Sequence, residues 1–162
     1  MYGVLAVSVL AVFITGGYIA SQTTAKTTAT QGELAITEDY YDFGTVGLEP
    51  AEHTFTVQNV GAGPLTIARV TTSCGCTTAR LETAAGMSRS FGMDHGNAPR
   101  ADVTLPPGEK AKVIITYDPL AHGRAKAAGR FRRAIYIQTE NPRGERQLTF
   151  DIVIDPDLTA KN

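Results

Sequence analysis

The sequence predicts an all-β fold: an immunoglobulin-like sandwich of about seven strands, preceded by one N-terminal transmembrane helix. Three observations point to it. Between residues 33 and 154 apolar side chains recur with a period of two, as in strands that bury one face. Turn-forming clusters interrupt those runs at short intervals, in a chain of 162 residues with 16 Gly and 8 Pro. Residues 2–20 form an unbroken apolar run, and about 20 such residues span a bilayer as a helix.

The anchor comes first. Tyr2 to Ala20 carries no charged side chain, and its only aliphatic hydroxyls are Ser8 and Thr15. A helix satisfies its own backbone in lipid, where no water is available. Tyr2 and Tyr18 stand ~24 Å apart along such a helix, close to the two interfaces that amphipathic rings prefer. The competing reading is a cleaved secretory signal, which wants a basic start and small residues at the cleavage site. No Lys or Arg precedes Lys26, and Tyr18-Ile-Ala20 puts a bulky ring where a small residue belongs, although Thr23-Thr-Ala25 would serve. Residues 1–20 therefore read as a retained single-pass anchor, with residues 2–20 in the lipid bilayer. Residues 21–32 are polar and Thr-rich without hydrophobic period, and read as a linker.

The domain spans residues 33–154, and 155–162 form a polar tail. Phe55 and Val57 alternate with Thr54, Thr56 and Gln58. Val113, Ile115 and Tyr117 share one face of a second run, and Leu148, Phe150, Ile152 and Ile154 share one face of a third. Weaker strands are read at 34–37, 65–70, 102–105 and 133–139. Turns fall at Gly47-Leu-Glu-Pro50, Gly61-Ala-Gly-Pro64, Pro106-Pro-Gly108 and Asn141-Pro-Arg-Gly144. The Cys…Trp…Cys core of antibody domains is absent, since there is no Trp.

Specific residues suggest a family. Tyr41-Asp-Phe-Gly-Thr-Val46 is followed by His53-Thr-Phe-Thr-Val-Gln-Asn-Val-Gly61, Pro64-Leu-Thr-Ile67 and Ser73-Cys-Gly-Cys-Thr-Thr78. Pro107-Gly-Glu109 and Tyr117-Asp-Pro119 complete the series. This order resembles a widespread bacterial domain-of-unknown-function family with a Ser-Cys-Gly-Cys-Thr signature, similar in turn to the Hydin-type Ig-like domains. The resemblance covers roughly residues 36–154. It implies a seven-stranded Ig-like sandwich in an exported or membrane-tethered protein, and no particular reaction. The chain departs from it in the long interval between Thr78 and Pro106. An irregular stretch of that length is usually a binding element or locally disordered.

Cys74 and Cys76 flank Gly75. On an extended strand their Cβ atoms would lie roughly 7 Å apart, too far for a disulfide, so pairing requires a kink that Gly75 permits. So small a ring would be strained and easily reduced. Three readings stand side by side. One is two small buried side chains, joined or not. Another is a redox-active dithiol, for which the nearest base in sequence is Arg80. The last is a soft-metal site for copper, with Cys74 and Cys76 completed by Met87, Met93 or His95 from the long interval. Two thiolates alone make an incomplete zinc site.

His53 opens a strand and reads as a packed or surface imidazole, and His122 belongs to a turn. No Gly-x-Ser-x-Gly, phosphate-binding Gly loop or His-Glu-x-x-His occurs, so an enzyme and a resident cofactor are not expected. A net charge of -1 argues against nucleic acid as a partner. Charge is nevertheless segregated. Glu33, Glu38, Asp39, Asp42, Glu49 and Glu52 occur in a stretch without Lys or Arg, while Arg124, Lys126, Arg130, Arg132 and Arg133 occur in one without acids. These are either solvated faces or a polarised surface for a partner or anionic headgroups.

The combined expectation is a non-enzymatic interaction module in a bacterial cytoplasmic membrane, its domain on the extracytoplasmic (periplasmic) side. It would be an accessory or scaffolding subunit among other membrane-complex subunits, by analogy with those of electron-transport or photosynthetic assemblies. The alternative is an extracytoplasmic copper or thiol-redox protein using the Cys-Gly-Cys motif.

Overall fold

A computed structural model describes residues 31–158. The expected anchor at 1–20, nearly all of the expected linker and the last four residues of the expected tail lie outside that range. Among the described residues no helix is long and apolar enough to cross a membrane.

Among the described residues ten strands form two sheets: β1 (Leu34–Ile36), β2 (Tyr40–Val46), β3 (Ala51–Asn59), β4 (Leu65–Thr72), β5 (Thr77–Thr83), β6 (Gly86–Met87), β7 (Val103–Leu105), β8 (Lys110–Tyr117), β9 (Gly129–Glu140) and β10 (Arg143–Ile154). One sheet runs β1-β3-β8-β5-β6 and the other β2-β10-β9-β4-β7. The expected count of about seven is corrected to ten. Seven strands have seven or more residues, whereas β1, β6 and β7 have three, two and three. All three short strands are sheet edges, where brevity limits pairing with foreign strands.

The period-two runs bury the faces they were expected to bury. Phe55, Val57, Val113 and Ile115 on one sheet pack with Leu148, Phe150 and Ile152 on the other, all 0% exposed. Each such side chain removed from water is worth about 1.5–3 kcal/mol. Strands β2, β5 and the two-residue β6 carry no clear period-two signal in the sequence. In β5 the inward residues are Thr77, Ala79 and Leu81, so the apolar period is diluted by small or hydroxylated side chains. In β2 the alternation of Tyr41 and Phe43 against Asp42 breaks at Gly44, whose φ of 66° accompanies a register shift against β10.

The interval between β6 and β7 is ordered by specific contacts. Phe91 is buried in the core and exchanges two backbone hydrogen bonds with Ala79. Asp94 Oδ1 accepts from Gly96 N and Ala98 N, while Arg69 donates to the Ala98 carbonyl at 2.6 Å. Arg100 bridges Asp102 and Glu140, and Ala101 N donates to Ala68 O.

Asn59 ties one end of the sandwich. It is 0% exposed and makes four side-chain hydrogen bonds. Its Oδ1 accepts from Glu33 N and Gly61 N, and its Nδ2 donates to Gly63 O and Leu105 O. Residue 31 joins the domain at this end, where Gln31 O accepts from Gly63 N.

Candidate metal and thiol site

The opposite end of the sandwich holds the cysteines. Strand β3 covers the distance between the ends with nine residues, ~30 Å at 3.3 Å per residue. There the chain crosses from β4 in one sheet to β5 in the other through Ser73-Cys-Gly-Cys76. The crossing is a bend and turn, not an extended strand, and this brings Cys74 Cα within 5.2 Å of Cys76 Cα in a disulfide. The expectation that Gly75 supplies unusual dihedrals is corrected. Its φ lies outside the left-handed region, and a Cβ placed on it meets nothing within 4 Å.

What bends the chain is a set of hydrogen bonds around it. Thr72 Oγ1 serves both Cys74 O and Thr77 O at 3.0 Å, and Thr77 N donates to Cys74 O at 3.1 Å. Ser73 exchanges two bonds with Ala134 of β9, N to O and N to Oγ, both 2.9 Å. Asp118 N donates to Cys76 O at 2.8 Å, fastening the turn to the end of β8.

Asp118 also begins the loop that delivers His122. Its Oδ1 accepts from Leu120 N at 2.8 Å, and Gly123, with φ 83°, closes the turn by donating to Leu120 O at 2.8 Å. His122 Nε2 then lies 3.3 Å from Cys74 Sγ. The sulfurs of Cys74 and Cys76 and a ring nitrogen of His122 all lie within 4.8 Å of one another. Cys76 is buried, Cys74 is half-buried and His122 is exposed, so the group opens to solvent on one side.

Arg133 closes the inner side. Its Nε donates to Cys76 Sγ at 3.3 Å, its Nη1 donates to Arg132 O, and its guanidinium sits 4.9 Å from the Phe131 ring centre. Burial pushes the Tyr117 hydroxyl up, with the Arg133 charge opposing it. A guanidinium beside a sulfur favours the thiolate once the disulfide is opened.

The ligand set expected from sequence is thus rearranged. Cys74 and Cys76 come together, and the imidazole that joins them is His122, not His95. Met93 pairs by a backbone bridge with Thr72, and Met87 is exposed at the sheet edge against Glu82. From sequence His122 reads only as a turn residue. The signal that would have found it is Tyr117-Asp-Pro119, a strand end whose Asp starts the turn. The guanidinium that meets a sulfur is that of Arg133, 57 positions from Cys76, and not that of Arg80.

The basic run also divides. Arg132 pairs in bidentate fashion with Asp151, Nε to Oδ1 at 2.7 Å and Nη2 to Oδ2 at 2.9 Å, and Arg130 stands 3.9 Å from the same carboxylate. The Arg132 hydrogen bonds hold the Asp151 carboxyl below the usual carboxylate range. Arg124 and Lys126 remain exposed beside His122. His53 stacks on Tyr41 with centroids 3.6 Å apart and meets Glu38 at 3.3 Å, a packed imidazole.

Residues 34–88, which include the cysteine turn, match the model of a family described as a protein of unknown function, DUF1573. No curated protein matches the chain in sequence. A solved structure of a protein of unknown function from Porphyromonas gingivalis W83 is similar with TM-score 0.58 and 22% identity, over 82% of this chain and 51% of that one. A family 123 glycoside hydrolase from Clostridium perfringens is similar with TM-score 0.55 and 6% identity, over 78% of this chain and 27% of the other. The ASH/PapD-like domain of human CEP192 gives TM-score 0.48 and 13% identity, over 85% and 95%. For the Porphyromonas and Clostridium proteins, at these identities, the likeness is one of fold. The chain spans about half the length of the Porphyromonas protein.

Proposed function

We propose that the chain is a membrane-tethered, non-enzymatic interaction module on the extracytoplasmic side of a bacterial membrane. In this reading it is an accessory subunit that docks on a larger membrane complex, and its sandwich is of the Ig-like, Hydin-related kind bearing the Ser73–Thr77 signature. One observation carries it. The exposed loop with Leu120, His122, Arg124 and Lys126 lies at the end of the sandwich opposite residue 31, so a tether through residues 1–20 leaves that end facing outward. No acid occurs in sequence between Leu120 and Thr139, the stretch that holds Arg124 and Lys126, and such groups serve to orient a partner of opposite charge. Placing them on lipid headgroups would require the domain to turn over on its linker.

Purification of the full chain in mild detergent tests this reading. The expected result is a set of co-purifying subunits that is lost on the double charge reversal Arg124→Glu/Lys126→Glu. A monomer with no companions, or release of the chain into the soluble fraction, sinks it.

A second reading has its own observation. Cys74, Cys76, His122 and Arg133, from three separate segments, meet at that same outward end. This supports an extracytoplasmic thiol–disulfide or copper site. Thiol titration before and after treatment with a dithiol reductant tests it. Two thiols appearing per chain support it, and none appearing removes it.

A further inference from the structure

We infer that, once reduced, Cys74 and Cys76 together with His122 form a three-ligand site for a single soft monovalent cation, Cu(I), closed by the disulfide and opened by reduction. The inference deepens the second reading above and rests on it.

Geometry limits the kind of ion. Donors bonded to one metal at about 2.0–2.3 Å lie within about 4.6 Å of each other. The two sulfurs and the His122 nitrogen are gathered within 4.8 Å, so little movement would bring all three onto one ion. Soft thiolates take both Cu(I) and Zn(II), but two thiolates and one imidazole would hold zinc only with a water as fourth ligand, whereas Cu(I) needs no fourth. Charge points the same way. Two thiolates and one Cu(I) carry a single net negative charge, and the Arg133 guanidinium at 3.3 Å from Cys76 Sγ offsets it. A divalent ion would make the bis-thiolate site neutral and leave the Arg133 charge without a counter-charge.

Access follows from the bonding. A sulfur in a disulfide is not a thiolate, and the thiolate is the ligand. Opening takes two electrons and two protons. A small-molecule dithiol reductant supplies both, leaving as its own disulfide, and Cys74 and Cys76 become thiols. Cu(I) then displaces the two thiol protons to solvent as two Cu–S bonds form, while a neutral imidazole nitrogen of His122 donates its lone pair. The exposed imidazole and half-buried Cys74 place this exchange at the surface.

The test uses the full chain in detergent, reduced with a dithiol and freed of it under anaerobic conditions. It is titrated with Cu(I) against a chromophoric Cu(I) chelator. One Cu(I) per reduced chain is expected, with none taken up by the oxidised chain. His122→Ala, an exposed substitution that leaves the core intact, is expected to weaken binding at least tenfold and to leave the melting temperature unchanged. X-ray absorption is expected to report sulfur and nitrogen neighbours, with nitrogen lost in His122→Ala. Equal affinity of wild type and His122→Ala, equal uptake by the oxidised chain, or tighter binding of Zn(II) than Cu(I) overturns the inference. If the pair reduces and reoxidises but takes up no Cu(I), the site assignment falls while the thiol–disulfide reading stands. If no thiols appear on reduction, both fall.

Discussion

Arg133 donates from Nε to the sulfur of Cys76 at 3.3 Å across 57 positions of sequence. The contact joins the last residue of the sheet crossing to the middle of β9, and it places a permanent cation on one member of the cysteine pair. Since the thiolate is the reactive form, the cation should speed reaction of the reduced pair. Arg133→Leu is expected to slow alkylation of the reduced thiols by iodoacetamide at neutral pH by about threefold or more. Arg133→Lys should keep much of the rate. Equal rates for wild type and Arg133→Leu would contradict a role for the charge.

Asn59 supports the other end of the sandwich. Its four hydrogen bonds use both donors and both acceptor positions of the amide, and they link the residue before β1, the β3–β4 turn and β7. Asn59→Ala would leave those backbone groups without partners in a fully buried spot. A loss of about 3 kcal/mol is expected from such unmet groups, read from the urea midpoint at unchanged m-value. A midpoint within error of wild type would show that water or neighbouring groups replace the amide.

The Arg132–Asp151 pair gives the protein an acid-sensitive element. Because Arg132 holds the Asp151 carboxyl below its usual range, the unfolded chain binds more protons than the folded one between the two values. That stability is fully present above the ordinary carboxylate value of about 3.9 and is lost as pH falls through the lower, folded value. Asp94, held down by the backbone N–H groups of Gly96 and Ala98, contributes with the same sign. Melting temperature should therefore fall as pH drops below about 4, and Asp151→Asn should flatten that decline. An unchanged slope in Asp151→Asn would assign the acid sensitivity to other groups.

Gly75 offers a contrast to the usual view of a glycine between two cysteines. Its φ is open to any residue, and the space where a Cβ would sit is free. Gly75→Ala is expected to fold, to form the disulfide, and to be as stable as wild type or more so by up to about 1 kcal/mol, since Ala restricts the unfolded chain. Mass spectrometry of the alkylated protein and a thermal melt check it. Failure to form the disulfide would show that the turn needs glycine for another reason.

Much of the fold is written in local patterns. The inward faces of β3, β8 and β10 follow from period-two alternation, because a strand sends successive side chains to opposite faces and only one face meets the core. Strand β5 escaped that reading since Thr77 and Ala79 bury as completely as Leu81 without being strongly apolar. Strand β2 escaped because Gly44 breaks its alternation at a bulge.

The candidate site divides along the same line. Sequence supplied the Cys74–Cys76 spacing, the segregation of charge and the apolar run at 2–20, each a property of neighbours along the chain. Only the folded sandwich selected His122 over His95, set Arg133 against Cys76 and consumed Arg132 in a pair with Asp151. Those partners are 48, 57 and 19 positions apart, and which of them meet depends on how β4, β8, β9 and β10 are ordered and registered in space. Local alternation carries no record of that order, because it is set by the packing of two sheets against one another.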